Sequence, residues 1–422
     1  MPATPSDVNI KARWIAPMSG EGEVLEAHTL VIRDGRILDV LPHQAAAERY
    51  SARVELDRPN HLAMPGLVNA RTRLAVNGAN PSAQGFWPDG ALLCIANMLK
   101  AGITCFGGAG YFPREVAALA TAQGLRAVVG LPVAEHSSAW AQGPGEYLTR
   151  ALQLRDEYKG HPSISTRFAP LGAAALGDDT LGRLATLAAE LDAGLLVSLH
   201  ESRNDVEVSL RRWGKRPLQR FSDLGLLGPT ATVAHVTHLD SADLDLVRRS
   251  GAAVTLCLES GLKRGQGLPP IEALCAAPVR VSLGSEGEFC GPGQDLWSEM
   301  RLMALHSPGM SAASVLGAAT RGGAAALGLE SETGTLEPGK WADVCCVDLS
   351  GPATQPPDDP LLNLVFAGGR DLVSDVWIAG RHLLVEGRFT RLDWPALASR
   401  LDSQRPPATA APPPPHSTET RP

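Results

Sequence analysis

The chain has 422 residues, 44% hydrophobic and 20% charged, the balance of a soluble globular protein with one large domain or two ordinary ones. Its 38 basic and 45 acidic residues leave a formal charge of −7, which argues against nucleic acid as a partner because such binders carry a basic excess or stripe. The N-terminus has no basic start followed by an apolar run, and no stretch approaches the roughly 18 apolar residues of a spanning helix, so a cytoplasmic protein without membrane contact is expected.

In chain order, the first sixty-odd residues read as antiparallel β structure. Thr29–Arg33 and Arg36–Leu41 flank Asp34-Gly35, a dipeptide that supplies positive φ to a tight hairpin. From about Met64 to Leu329 the pattern changes. Short apolar runs (Ala127–Leu131, Leu195–Leu199, Ala231–Ala234, Ala253–Leu256, Val279–Leu283) alternate with helix-like stretches such as Asp179–Asp192 and Ser241–Ser250. Runs that are apolar on both faces suit strands covered by helices outside and by one another inside, and six to eight βα units fit a (β/α)8 barrel. A doubly wound sheet competes, but no G-x-G-x-x-G turn follows the first strand, so its nucleotide-binding version has no support. Lys340–Leu349 and Asp375–Arg388, the latter with Ala379-Gly380 as its turn, return to β patterning. The α/β division is therefore a composite β-sandwich from residues 1–63 and 333–392, and a barrel over 64–332. The last nineteen residues, 404–422, hold seven prolines and read as a disordered tail.

The seven cysteines show no C-x-x-C pair and look like small buried hydrophobes rather than metal ligands or a disulfide framework. In a barrel, chemistry sits at the C-terminal ends of the strands, so the polar residues closing each apolar run are the informative ones. These are Arg71 and Arg73, then Ser198, His200 and Glu201, then His235 and His238, and finally Glu286. Period-two alternation puts Arg71 with Arg73, and Ser198 with His200, on common faces.

MPGLVNA at Met64–Ala70, KAGITCF at Lys100–Phe106, LGLLGP at Leu224–Pro229, AHVTHLD at Ala234–Asp240, ESGLK at Glu259–Lys263 and GTLEPGKWADVCCVDL at Gly334–Leu349 together resemble the amidohydrolase superfamily. The branch is that of triazine hydrolases and methylthioadenosine/S-adenosylhomocysteine deaminases. The resemblance implies a β-sandwich from both termini around a metal-bearing (β/α)8 barrel, with zinc or iron in active relatives and hydrolysis of non-peptide C–N bonds. It also implies that Arg71 and Arg73 stand at the His-x-His metal ligands, Ser198 at the third ligand and Glu286 at the Asp that is the fourth. Glu201 matches the general acid/base and His235 the residue that orients water, while Leu171 replaces a substrate-contacting His. The stretch from Arg73 to Gly102 is shorter than in the family, so part of the substrate loop is missing.

A guanidinium has five donors and no lone pair, so Arg71 and Arg73 cannot ligate a cation. No metal or other cofactor is expected. The leading expectation is a non-catalytic or strongly altered homologue, acting as a binding or assembly partner of itself or of an active paralogue, with Arg71 and Arg73 pairing Glu201 and Glu286. One alternative is an active hydrolase or deaminase of a cyclic or purine-like substrate, using Glu201 and His235 or a rearranged site of His200, His235, His238 and Glu286. Another is a small-anion-binding protein based on the two arginines. Asp295 and Glu299 read as a solvated or structural face, and the basic run of Arg211, Arg212, Lys215, Arg216 and Arg220 as an exposed helix face.

Overall fold

A computed structural model describes residues 3–20, 22–74, 87–287 and 294–404. The Pro-rich tail after Gln404, residues 75–86 of the shortened segment after Arg73, and Cys290 lie outside the described residues.

Strands β1 (Thr4–Ile15), β2 (Leu25–Arg33), β3 (Arg36–Pro42) and β4 (Tyr50–Pro65) come from the N-terminal part. Asp34 and Gly35 both take positive φ, so the β2–β3 hairpin turns where the dipeptide predicts. The barrel strands follow as β5 (Leu67–Thr72), β6 (Ile103–Gly108), β7 (Arg126–Val133), β8 (Ile164–Pro170), β9 (Leu195–Leu199), β10 (Ala231–His235), β11 (Ala253–Leu256) and β12 (Arg280–Leu283). Strands β13 (Val344–Asp348), β14 (Val373–Ile378), β15 (Arg381–Val385) and β16 (Arg388–Phe389) complete the terminal layer. Ala379 and Gly380 also take positive φ, which places the second hairpin turn between β14 and β15.

Two eight-stranded sheets result. One is all parallel and runs in sequence order from β5 to β12; the other joins the two ends of the chain in the order β16-β15-β14-β13-β4-β1-β2-β3. Every residue of β5, β6 and β7 is buried, as strands covered on both faces require. Among the described residues no ladder joins β12 to β5. Closure there rests on Arg73 N–H donating to Glu286 O (2.7 Å) and Glu286 N–H donating to Arg71 O (3.0 Å). The two strands approach closely enough that a Cβ on Gly284 would lie 2.6 Å from Arg71 Cβ, so only glycine fits there.

One apolar cluster spans both sheets: Trp14, Met64, Cys345, Val347 and Val376 of the terminal layer pack with Leu67, Phe106, Phe168, Trp297 and other barrel residues. The adjacent Cys345 and Cys346 face opposite sides of β13 and belong to different clusters. The basic run is not one exposed helix face. It breaks at Gly214 (φ 69°) into helices Arg203–Trp213 and Pro217–Asp223. Arg220 is buried, with Nε donating to Asp178 Oδ1 (2.6 Å), and Arg216 pairs with the buried Asp243 (2.6 Å).

Candidate functional site at the barrel mouth

Strand ends deliver the polar side chains to one place. His200, His235, Val236 and Glu286, just at or past the ends of β9, β10 and β12, all adopt positive φ, a conformation that non-glycine residues keep only when the surroundings over-determine it. Glu286 is the centre. Its Oε2 lies 3.4 Å from Arg71 Nε and 2.9 Å from His235 Nε2, and its Oε1 lies 3.1 Å from Arg73 Nε. Arg71 Nη2 donates to Ser198 Oγ at 2.9 Å. Burial alone would raise the Glu286 carboxyl, but Arg71, His235 and Arg73 outweigh it and hold the group well below the usual carboxylate range.

The expected pairing needs correction. Both arginines converge on Glu286, whereas Glu201 forms its ion pair with Arg264 from the segment after β11 and lies 3.7 Å from His235 Nε2. Arg264 is five residues beyond Glu259, and nothing in its spacing signals a role at the mouth.

The rearranged ligand set of His200, His235, His238 and Glu286 does not assemble either. His200 takes a positive φ just past the end of β9. Its Nε2 accepts from Leu218 N–H (3.1 Å) and its Nδ1–H donates to His238 O (3.1 Å), so both ring nitrogens are spent on structure. Burial lowers the His200 pKa, in agreement with a neutral ring. His235 and Glu286 instead come together with Cys257, their ligand atoms all within 4.8 Å of one another. The sequence set Cys257 aside because it has no cysteine partner at metal-site spacing, yet β11 ends there and brings the thiol to the mouth. Burial first, then the Glu286 and Glu299 charges, pushes that thiol well above its usual value. Glu299 is structural: its carboxyl accepts from Leu258 N–H (2.7 Å) and Glu259 N–H (3.2 Å) at the start of the helix Leu258–Lys263.

Beside the cluster is a cavity of about 260 Å³, lined by Arg71, Arg73, Leu171, Ser198, Glu201 and Asn204 among others. Leu171, Gly172 and Ala173 give it an apolar wall.

The sequence profile of the Amidohydrolase family matches residues 62–383. The chain belongs to the amidohydrolase family. It is 34% identical to the 5-methylthioadenosine/S-adenosylhomocysteine deaminase of Teredinibacter turnerae, over 95% of this chain and 98% of that one. The deaminase of the same name from Saccharophagus degradans is 32% identical, covering 92% and 94%. Among solved structures, a zinc-bound adenosine deaminase from Xanthomonas campestris superposes with a TM-score of 0.91 at 35% identity, over 95% of this chain and 98% of that one. The zinc-complexed atrazine chlorohydrolase TrzN from Arthrobacter aurescens shares the fold, with a TM-score of 0.83 at 22% identity over 94% and 99%.

A divalent metal does not fit Arg71, Arg73, Ser198 and Glu286, the four positions that the family resemblance sets for its ligands. Two hold guanidinium groups, the Ser198 hydroxyl accepts from one of them, and the buried Glu286 is already engaged by both guanidiniums and by His235. Among the described residues, no helix is long and apolar enough to cross a membrane.

Proposed function

We propose that this amidohydrolase-family protein does not run metal-activated hydrolysis and instead serves as a binding or assembly partner, of itself or of an active paralogue. One observation carries the reading: the Arg71 guanidinium lies between Glu286 and Ser198, a fixed monovalent cation at positions where relatives bind a dication. A bound divalent metal brings water from a pKa near 15.7 to about 7. Glu201 and His235 remain within reach of each other, but a carboxylate and an imidazole acting on water of ordinary acidity leave most of that barrier in place. Small-anion binding at Arg71 and Arg73 is disfavoured, because a second anion must compete with Glu286.

A second reading, deamination or hydrolysis at a C–N bond of a purine-like molecule, is favoured by the relatives' names over more than nine-tenths of the chain. The trio of His235, Cys257 and Glu286 offers it a ligand set that the family pattern does not contain.

One experiment separates the two. The protein is expressed with zinc, iron and manganese available, its metal is counted per chain, and ammonia release from methylthioadenosine and S-adenosylhomocysteine is followed. The first reading expects metal far below one per chain and no release above buffer. One tightly held metal with turnover would overturn it in favour of the second. As an internal control, the combined Arg71→His, Arg73→His, Ser198→His and Glu286→Asp variant should take up zinc that the native chain does not.

A further inference from the structure

On the outer wall of the barrel, remote from the mouth, lies a groove of about 600 Å³, a size usual for small-molecule sites. One wall is the short helix before β12, Ile271–Ala276, of only six residues, which contributes Glu272, Cys275 and Ala276. Val279 and Val281 are left half-buried where the wall of a barrel is ordinarily sealed. Met303 and Met310 form the opposite side, with adaptable thioether side chains.

Two polar features give the groove a chemistry. Arg321 lines it, tethered by Nη1 donating to Met18 O (3.3 Å) and Gly20 O (2.5 Å), and no carboxylate pairs with it among the described residues. A Cβ on Gly317 would lie 3.2 Å from its Nε and 3.4 Å from its Nη2, so the glycine, which also lines the groove, lets the guanidinium lie close against the helix Ala312–Ala319. Ser307, also lining it, is buried with a hydroxyl that has no hydrogen-bond partner among the described residues. A chain with seven excess negative charges has ample carboxylates to neutralise a surface arginine, so an arginine left without one beside an apolar trough is informative. The single acid on the rim, Glu272, is exposed and screened by solvent.

We propose that this groove binds an apolar carboxylate, with the hydrocarbon body along Val279, Val281, Met303 and Met310 and the anionic end on Arg321 and Ser307. The inference stands whichever reading of the mouth holds, since the two cavities share no lining residue.

The full chain is titrated with 8-anilinonaphthalene-1-sulfonate, an apolar aromatic anion, and the dye is displaced with decanoate or with uncharged decanol. Saturation at one dye per chain is expected, with decanoate more effective than decanol by about tenfold or more, the worth of a charge-assisted hydrogen bond. Arg321→Met should remove that preference. Because Arg321 also holds two backbone carbonyls, Met310→Trp serves as a second variant, filling the trough while leaving those bonds intact, and should abolish dye binding. Cys275, half-exposed on the groove wall, is the independent reporter. Its alkylation by N-ethylmaleimide, read on the Cys275 peptide, should slow under decanoate. Equal displacement by decanoate and decanol, dye binding unchanged in Met310→Trp, or unprotected Cys275 would each overturn the proposal.

Discussion

At the scale of single residues, the mouth is governed by the cost of buried charge. Glu286 is 1% exposed, and its ionised form survives only because two guanidiniums and an imidazole surround it. Arg71→Met should therefore destabilise the protein by about 3–5 kcal/mol, the usual result of breaking one side of a buried pair. The pH dependence follows from the sign of the shift. A carboxyl depressed in the folded state contributes stability that is fully present above its unfolded value of 4.5 and is lost as pH falls through the folded value. The gap between native and Arg71→Met protein in urea denaturation should thus be widest above about pH 4.5 and narrow on further acidification. A constant gap across that range would mean that Arg71 acts through packing alone. The residues that meet at this site were legible in the sequence, because the polar residues that end barrel strands can be read from order and spacing. The partners were not. Whether Glu201 meets Arg73 or Arg264 depends on where a loop after β11 returns, and Cys257 reaches the mouth only through strand register.

At the scale of elements, strand order was legible because hydrophobic runs and turn dipeptides obey local rules, and the Asp34-Gly35 and Ala379-Gly380 hairpins form as those rules require. The seam was not legible, since closing β12 onto β5 is a contact between residues more than two hundred positions apart. Side chains replace the missing ladder there. Asn69 Nδ2 donates to Ser285 Oγ (2.7 Å) and Asn69 Oδ1 accepts from Ser285 N–H (3.0 Å), while Gln294 Oε1 accepts from both Ser285 Oγ (2.6 Å) and Thr72 Oγ1 (2.5 Å). Asn69→Ala orphans the buried Ser285 N–H and removes one donor to the Ser285 hydroxyl, which keeps Gln294, so a loss of about 1–3 kcal/mol is expected. Hydrogen exchange at the Arg73 and Glu286 amides, which bridge the seam, should accelerate before exchange in the β6–β7 ladder does. Uniform acceleration across the barrel would show that the seam opens only with global unfolding.

At the scale of the whole molecule, the question is whether barrel and terminal sheet unfold as one body. Among the couplings that join them, two bear on this question. The first is the shared apolar cluster that runs from Trp14 and Val376 to Phe168 and Trp297. The second is Asp343, just before β13, whose carboxylate accepts from Arg126 Nε of β7 (2.8 Å), from Thr333 Oγ1 (3.0 Å) and from Ala379 N–H of the β14–β15 turn (2.7 Å). Asp343→Ala leaves Arg126 buried without its counter-charge and should lower stability by about 3–5 kcal/mol. The apolar cluster survives that change, so cooperativity should survive as well. Scanning calorimetry of native and Asp343→Ala protein is expected to give one transition each, with matching calorimetric and van't Hoff enthalpies and a lower midpoint for the variant. Two resolved transitions in the variant alone would assign the coupling to the ion pair. Two in both would mean that the chain-end sheet melts independently, and that the continuous core does not transmit unfolding.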